Sequence, residues 1–299
     1  MSAQPAVALV PSRAAEDVAE LVAAGVARLC RPFFGDALRA LILTGSMARG
    51  EATVVRRGGE WRVWGDAEFL VVLDARHRLP RRHALDALGA RCESWLRTQG
   101  CRCAVSLGAA HPSYLRRLPP HIFGYELRAA GRVIAGAAEI LQLIPPSCPE
   151  SLPWLDAWHL LSNRIVEQLD CIAAAHAAPS PPPPALAYAT VKLWLDVATS
   201  YLVFANRYAP SYRQRSARLA ELAALPTPPP APWPLPEIAR QVECCTDWKL
   251  EGSEAWADRD WDWWREAVQA AARLWHWELA QLAGPPAARG GQPAWRRWA

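Results

Sequence analysis

Lysine is nearly missing from this 299-residue chain: only Lys192 and Lys249 occur, so almost all of the 33 basic side chains are arginine. That bias is what a GC-rich bacterial coding sequence produces, and by itself it signals no activity. Acids and bases nearly balance, leaving a net charge of +4. A dedicated nucleic-acid binder carries a strongly basic stripe, so long nucleic acid is not an expected partner. No uninterrupted apolar run reaches the roughly 18 residues that a spanning helix needs, and no membrane partner is expected. Nor does a basic-then-apolar leader open the chain, so a cytoplasmic, reducing location is the expectation. The eight cysteines (Cys30, Cys92, Cys101, Cys103, Cys148, Cys171, Cys244 and Cys245) include no C-x-x-C pair, which excludes a paired-cysteine zinc site. Internal repeats are absent.

What is present is 27 prolines, 16 tryptophans and an apolar content of 52%, enough for a sizeable core. Residues 13–33 carry Val18, Leu21, Val22, Val26 and Leu29 at helical spacing, which predicts an amphipathic helix. Ala40–Leu43 is a short apolar run ended by Thr44-Gly45-Ser46. Thr53–Arg57 and Glu60–Trp64 flank Gly58-Gly59, the pattern of a tight β-hairpin. Glu68–Leu73 is the strongest strand, an arginine-rich helix is expected over 80–99, and further strands over Cys101–Ala109 and Arg128–Ile134. Beyond about residue 145 helical patterns take over, at 152–177, 185–207, 211–224, 236–248 and 258–283. Proline-rich loops at 179–184 and 226–236 separate some of them. The expected fold class is α+β: a mixed-sheet domain flanked by helices over 1–147, then an all-α helical bundle over 148–299.

Asp66-Ala67-Glu68 opens the strongest strand, and Gly45-Ser46 follows the strand before it. Strand side chains alternate, so Asp66 and Glu68 share a face. Two adjacent carboxylates repel unless a cation lies between them, and magnesium suits oxygen ligands shared with phosphate. Glycine lets a phosphate approach the backbone, and the serine hydroxyl and the following N–H groups can bond its oxygens. A short helix over 47–51 would add a favourable dipole.

With these elements in place, Leu43-Thr-Gly-Ser-Met-Ala-Arg-Gly-Glu51 followed by Asp66-Ala-Glu-Phe-Leu-Val-Val72 resembles the signature of polymerase-β-like nucleotidyltransferases. That superfamily includes aminoglycoside nucleotidyltransferases and small antitoxin-type enzymes. The resemblance covers roughly residues 40–145. It implies a nucleoside triphosphate as partner, with Gly45, Ser46, Arg49 and Lys192 binding the nucleotide. It also implies Mg2+ held by Asp66 and Glu68, which with Glu126 form the catalytic set. The product would be a nucleoside monophosphate joined to a hydroxyl of a small molecule or protein.

The chain departs from the family pattern twice. Gly45 and Asp66 lie 21 residues apart (66 − 45), further than is usual, because the 58–59 hairpin intervenes, either as a specificity flap or as an edge decoration. The family's third carboxylate should lie on the 101–108 strand, where Ser106 stands instead. A serine is no general base at neutral pH. Glu126 or Glu51 is then the candidate substitute, unless Glu126 pairs with Arg128 or Arg132. A catalytically weakened nucleotide-binding or interaction module is the rival reading.

The helical half offers fewer candidates. Lys192, on an apolar helix, either reaches phosphate or snorkels to solvent. Arg213, Arg215 and Arg218 among tyrosines suit either an acceptor patch or a solvated face. Asn163-Arg164 is a candidate brace, and the late tryptophans read mainly as packing. His176 lies 12 residues past Arg164 and His276 three past Arg273, spacings that do not fit the arginine–histidine pair of partner ribonucleases.

Overall fold

The computed structural model describes residues 12–175, 182–252 and 254–284, which form two compact units. The first ends at Pro146 and takes back a short stretch that begins at Lys249; the second holds the remainder. His176 and most of the 179–184 proline run lie outside the described residues.

The first unit is built on a five-stranded, largely antiparallel sheet. Its strands are β1 (Leu38–Thr44), β2 (Thr53–Arg57), β3 (Glu60–Leu73), β4 (Cys101–Ala110) and β5 (Arg132–Gly136). β3 is one unbroken strand of 14 residues, so the hairpin arm and the apolar run expected separately are a single element. Gly58 and Gly59 close the hairpin at φ +58° and +87°, the left-handed pair that a two-residue turn between twisted strands requires. β1 and β2 pair antiparallel with successive halves of β3, β4 runs parallel to it, and β5 pairs with β1.

Alternation along β3 divides its side chains between two cores. Ala67, Phe69, Val71 and Leu73 face α1 (Ser12–Phe34) and α3 (Arg82–Thr98). Leu70 and Val72 face the other way, toward Leu115 of α4 (Pro112–Arg116), Leu127 of α5 (Ile122–Ala130) and Ile140. Val18, Val22, Val26 and Cys30 recur along α1 and are all but fully buried. Each such aliphatic side chain contributes about 1.5–3 kcal/mol of burial.

One element differs from the sequence expectation. Residues 122–130 are helical, and the strand placed at 128–134 starts only at Arg132. The local reason is a cap: His121 Nδ1 accepts the Gly124 N–H at 2.6 Å, starting a helix whose Leu127 is fully buried. Glu126 therefore projects from a helix and not from a turn.

The second unit is all helical: α6 (Trp154–Ala175), α7 (Pro184–Phe204), α8 (Tyr212–Ala223), α9 (Leu235–Glu251) and α10 (Trp261–Ala283). The last turn of α9 counts with the first unit. α7 is buried on nearly every side, as a helix apolar all round must be. Tryptophans pack around it: Trp154 stacks on Phe204 at 5.0 Å, and Trp233 meets Tyr201 at 5.3 Å. Arg164 on α6 bonds Asp196 on α7 through Nε at 2.6 Å, so it braces these two helices. Among the described residues no helix is long and apolar enough to cross a membrane.

Two buried polar groups make this unit testable. Asp196→Ala leaves the Arg164 guanidinium with Glu167 as its remaining acidic partner, and a loss of about 1–3 kcal/mol is expected in urea unfolding, the cost of an unmade hydrogen bond at a charged group. Glu278 is fully buried; Ser200 Oγ donates to its Oε1 at 2.6 Å while Oε2 has no partner. Burial pushes its carboxyl up from 4.5 to about 8, against the hydrogen bond from Ser200. An acid whose pKa rises on folding holds its proton in the native chain across that interval. Its contribution to stability is complete at acid pH and falls by about 1.4 kcal/mol per pH unit toward pH 8. Thermal midpoints should decline over this range, and Glu278→Gln should flatten the decline.

Candidate active site

Pairing with β3 determines where the glycine–serine turn lies. Thr44 is opposite Glu68 and Thr53 opposite Trp64, so residues 45–52 leave and rejoin the same edge beside Gly65–Ala67. Within that excursion α2 (Gly45–Ala48) makes one helical turn, and the Glu51 N–H donates to Ser46 O at 2.8 Å. Met47, 1% exposed, anchors the turn in the core. Gly45 holds φ +68°, and a Cβ there would stand 2.5 Å from Glu68 Oε2. The left-handed φ is what favours glycine here, and any Cβ would also displace the Glu68 carboxylate.

Asp66 and Glu68 project from the face of β3 that carries Leu70 and Val72. Asp66 is half-buried and Glu68 exposed. Parallel pairing sets Ser106 of β4 level with Glu68, on that same face, and its Oγ donates to Asp66 Oδ2 at 2.8 Å. A hydroxyl thus occupies the neighbouring-strand position, orienting Asp66 without adding negative charge.

Arg49, just after α2, lies between two carboxylates. Its Nε donates to Glu51 Oε2 at 2.8 Å and its Nη1 to Glu126 Oε2 at 2.6 Å. All three side chains are largely buried, so these charge-assisted bonds tie the turn to α5. The partners weighed for Glu126 from sequence are occupied elsewhere: Arg128 bonds the carbonyls of residues 141–144, and Arg132 pairs with Glu20. Lys192 lies on α7, 3.4 Å from Glu167 Oε1 on α6. Of the arginines near Tyr208, Arg215 is buried against Thr199 Oγ1 at 2.7 Å, and Arg218 bonds the Arg207 carbonyl. Those two arginines pack internally, and Arg213 alone of the three is exposed.

Nothing among the described residues groups three or more acids, histidines or cysteines as a metal cage would. Two carboxylates with a hydroxyl beside them do suit magnesium, which binds through one or two carboxylates and completes its shell with water and phosphate oxygens. Every cysteine among the described residues is a free thiol, and burial pushes Cys30 up to about 12, which leaves it unreactive. The chain matches no family model, and no curated protein matches it.

Arg49's double clamp is the feature that sequence reading missed. The acidic side chains stood in view, but the pair with Glu126 spans 77 residues and no local pattern announces it. Gly45→Ala tests the geometry of the turn. The left-handed φ costs about 1–2 kcal/mol for a residue with a Cβ, while Glu68 must swing aside. The expected outcome is a thermal midpoint lowered by a few degrees, followed by differential scanning calorimetry.

Proposed function

We propose that the chain is a magnesium-dependent nucleotidyltransferase that passes a nucleoside monophosphate from a nucleoside triphosphate to a hydroxyl of a small molecule or protein. The observation that carries this reading is the placement of Asp66 and Glu68 at alternate positions of one strand beside a turn whose glycine holds a left-handed φ. Ser46 and the first N–H groups of α2, which lack intrahelical acceptors, would bond the phosphates. Magnesium, when bound, supplies positive charge to the leaving pyrophosphate and the attacking oxygen. Asp66, oriented by Ser106, and Glu68 would hold that ion in register with the phosphates. Arg49 would keep the turn in place and lend positive charge to its flank. Glu126 enters as the residue that fixes Arg49, since its carboxylate already accepts from that guanidinium.

Ser106 in the neighbouring-strand position favours a second reading, a module that binds nucleotide and turns it over slowly or not at all. Incubation with α-labelled ATP, magnesium and pooled hydroxyl acceptors separates the two. Label transferred to an acceptor with release of pyrophosphate, abolished in Asp66→Ala and Glu68→Ala, supports the transferase. Saturable nucleotide binding without pyrophosphate supports the module, and neither binding nor transfer defeats both. Ser106→Asp adds a third carboxylate and should lower the magnesium concentration for half-maximal binding or activity by about tenfold, through added charge attraction.

A further inference from the structure

We propose that the groove between α9 and α10 is a second, separate binding site, one that takes a small organic anion with a flat apolar body. The groove encloses about 540 Å³, within the range of about 300–1,000 Å³ typical of small-molecule sites. Its floor is apolar: Trp194 of α7, Trp233, Ile238 and Ala270 border it and all are buried. Trp233 Nε1 donates to Ala270 O at 3.2 Å. Trp194, only 2% exposed, has no acceptor for its indole N–H. An unmade bond at such a donor costs about 1–3 kcal/mol, and Trp194 is the member of the floor that carries one.

The rim is cationic. Arg240 on α9, Arg273 on α10 and Arg259 between these helices border the same groove, all exposed. None of them forms an ion pair among the described residues. Glu237 and Glu266 also border the groove, and Glu237 precedes Arg240 at the i, i+3 spacing at which such pairs commonly form. Arg259 is instead held over the rings of Trp248 at 4.9 Å and Trp263 at 5.9 Å, a stacking that orients its guanidinium. Three guanidinium groups against two carboxylates leave the rim with an excess of positive charge, and an anion placed among the arginines gains charge-assisted hydrogen bonds.

The class of ligand follows from the combination. Two glutamates on the rim oppose a polyanion such as a nucleic-acid strand, whereas one anionic group can sit among the arginines. A bare inorganic anion would leave the tryptophan floor unused. A ring system carrying a single phosphate or carboxylate satisfies both parts, laying its face on the floor and its charge at the rim.

Isothermal titration of the full chain with 1-naphthyl phosphate, 1-naphthoate, 1-naphthol and inorganic phosphate tests this. Saturable binding is expected for at least one naphthyl anion, with naphthol and inorganic phosphate weaker by about tenfold or more, the scale of a charge-assisted contact. Arg240→Ala with Arg273→Ala should remove that advantage. Both side chains are exposed, so thermal midpoints should hold and loss of binding will not reflect unfolding. Trp194→Phe, which keeps an aromatic floor and deletes the N–H, should weaken binding severalfold. Asp66→Ala should leave it unchanged, which separates this site from the transferase reading. The proposal is overturned if naphthol binds as well as the anions, if no probe saturates, or if the double arginine variant binds normally.

Discussion

The arrangement of the first unit depends on how β1 and β2 share one edge of β3. Because Thr44 faces Glu68 and Thr53 faces Trp64, the chain between them must depart and return within four residues of β3. The only route is a compact turn on the flank of Asp66 and Glu68. That excursion sets a left-handed glycine against a carboxylate and begins a single helical turn there. Two acids on one face repel by a few kcal/mol at protein-surface dielectric. Ser106 relieves part of this by donating to Asp66.

A second electrostatic layer lies behind the first. Arg49 is held from two sides by Glu51 and Glu126, which joins the turn to the helix packed below that face of the sheet. The clamp has a chemical consequence as well as a structural one. An arginine so held is a fixed charge beside the turn, and the carboxylates that hold it are committed to it. The electrostatics of the turn and its flank are therefore shared among five side chains, Asp66, Glu68, Ser106, Arg49 and Glu126, drawn from two strands, one helix and a loop.

The helical unit solves a different problem. Its central helix is apolar on all sides, so the surrounding helices supply both the packing and the polar links. Arg164 with Asp196 and Ser200 with Glu278 are the internal links. Tryptophan fills the space between helices, which large rigid rings do with little loss of conformational entropy. Among the described residues several buried indole N–H groups have no acceptor within the chain.

Local patterns made much of this visible in advance. The hairpin glycines, the alternation that places Asp66 and Glu68 together, the α1 stripe and the change to helices beyond residue 145 all follow from periods of two or 3.6 residues. The helix at 122–130 was read as a turn and strand, because its cap comes from a histidine ring and its register from a single buried leucine. Ser106 could be located on its strand, but its bond to Asp66 depends on parallel pairing across 40 residues. Glu126 was in view as an acid; that it faces Arg49, and not Arg128 or Arg132, was settled by packing alone. The three groove arginines carry no mark in the chain that distinguishes them from the other arginines. Sequence determined which residues share a face within one element, since backbone geometry repeats over a few residues. Tertiary structure decided which faces meet, since that depends on burial summed over segments far apart in the chain.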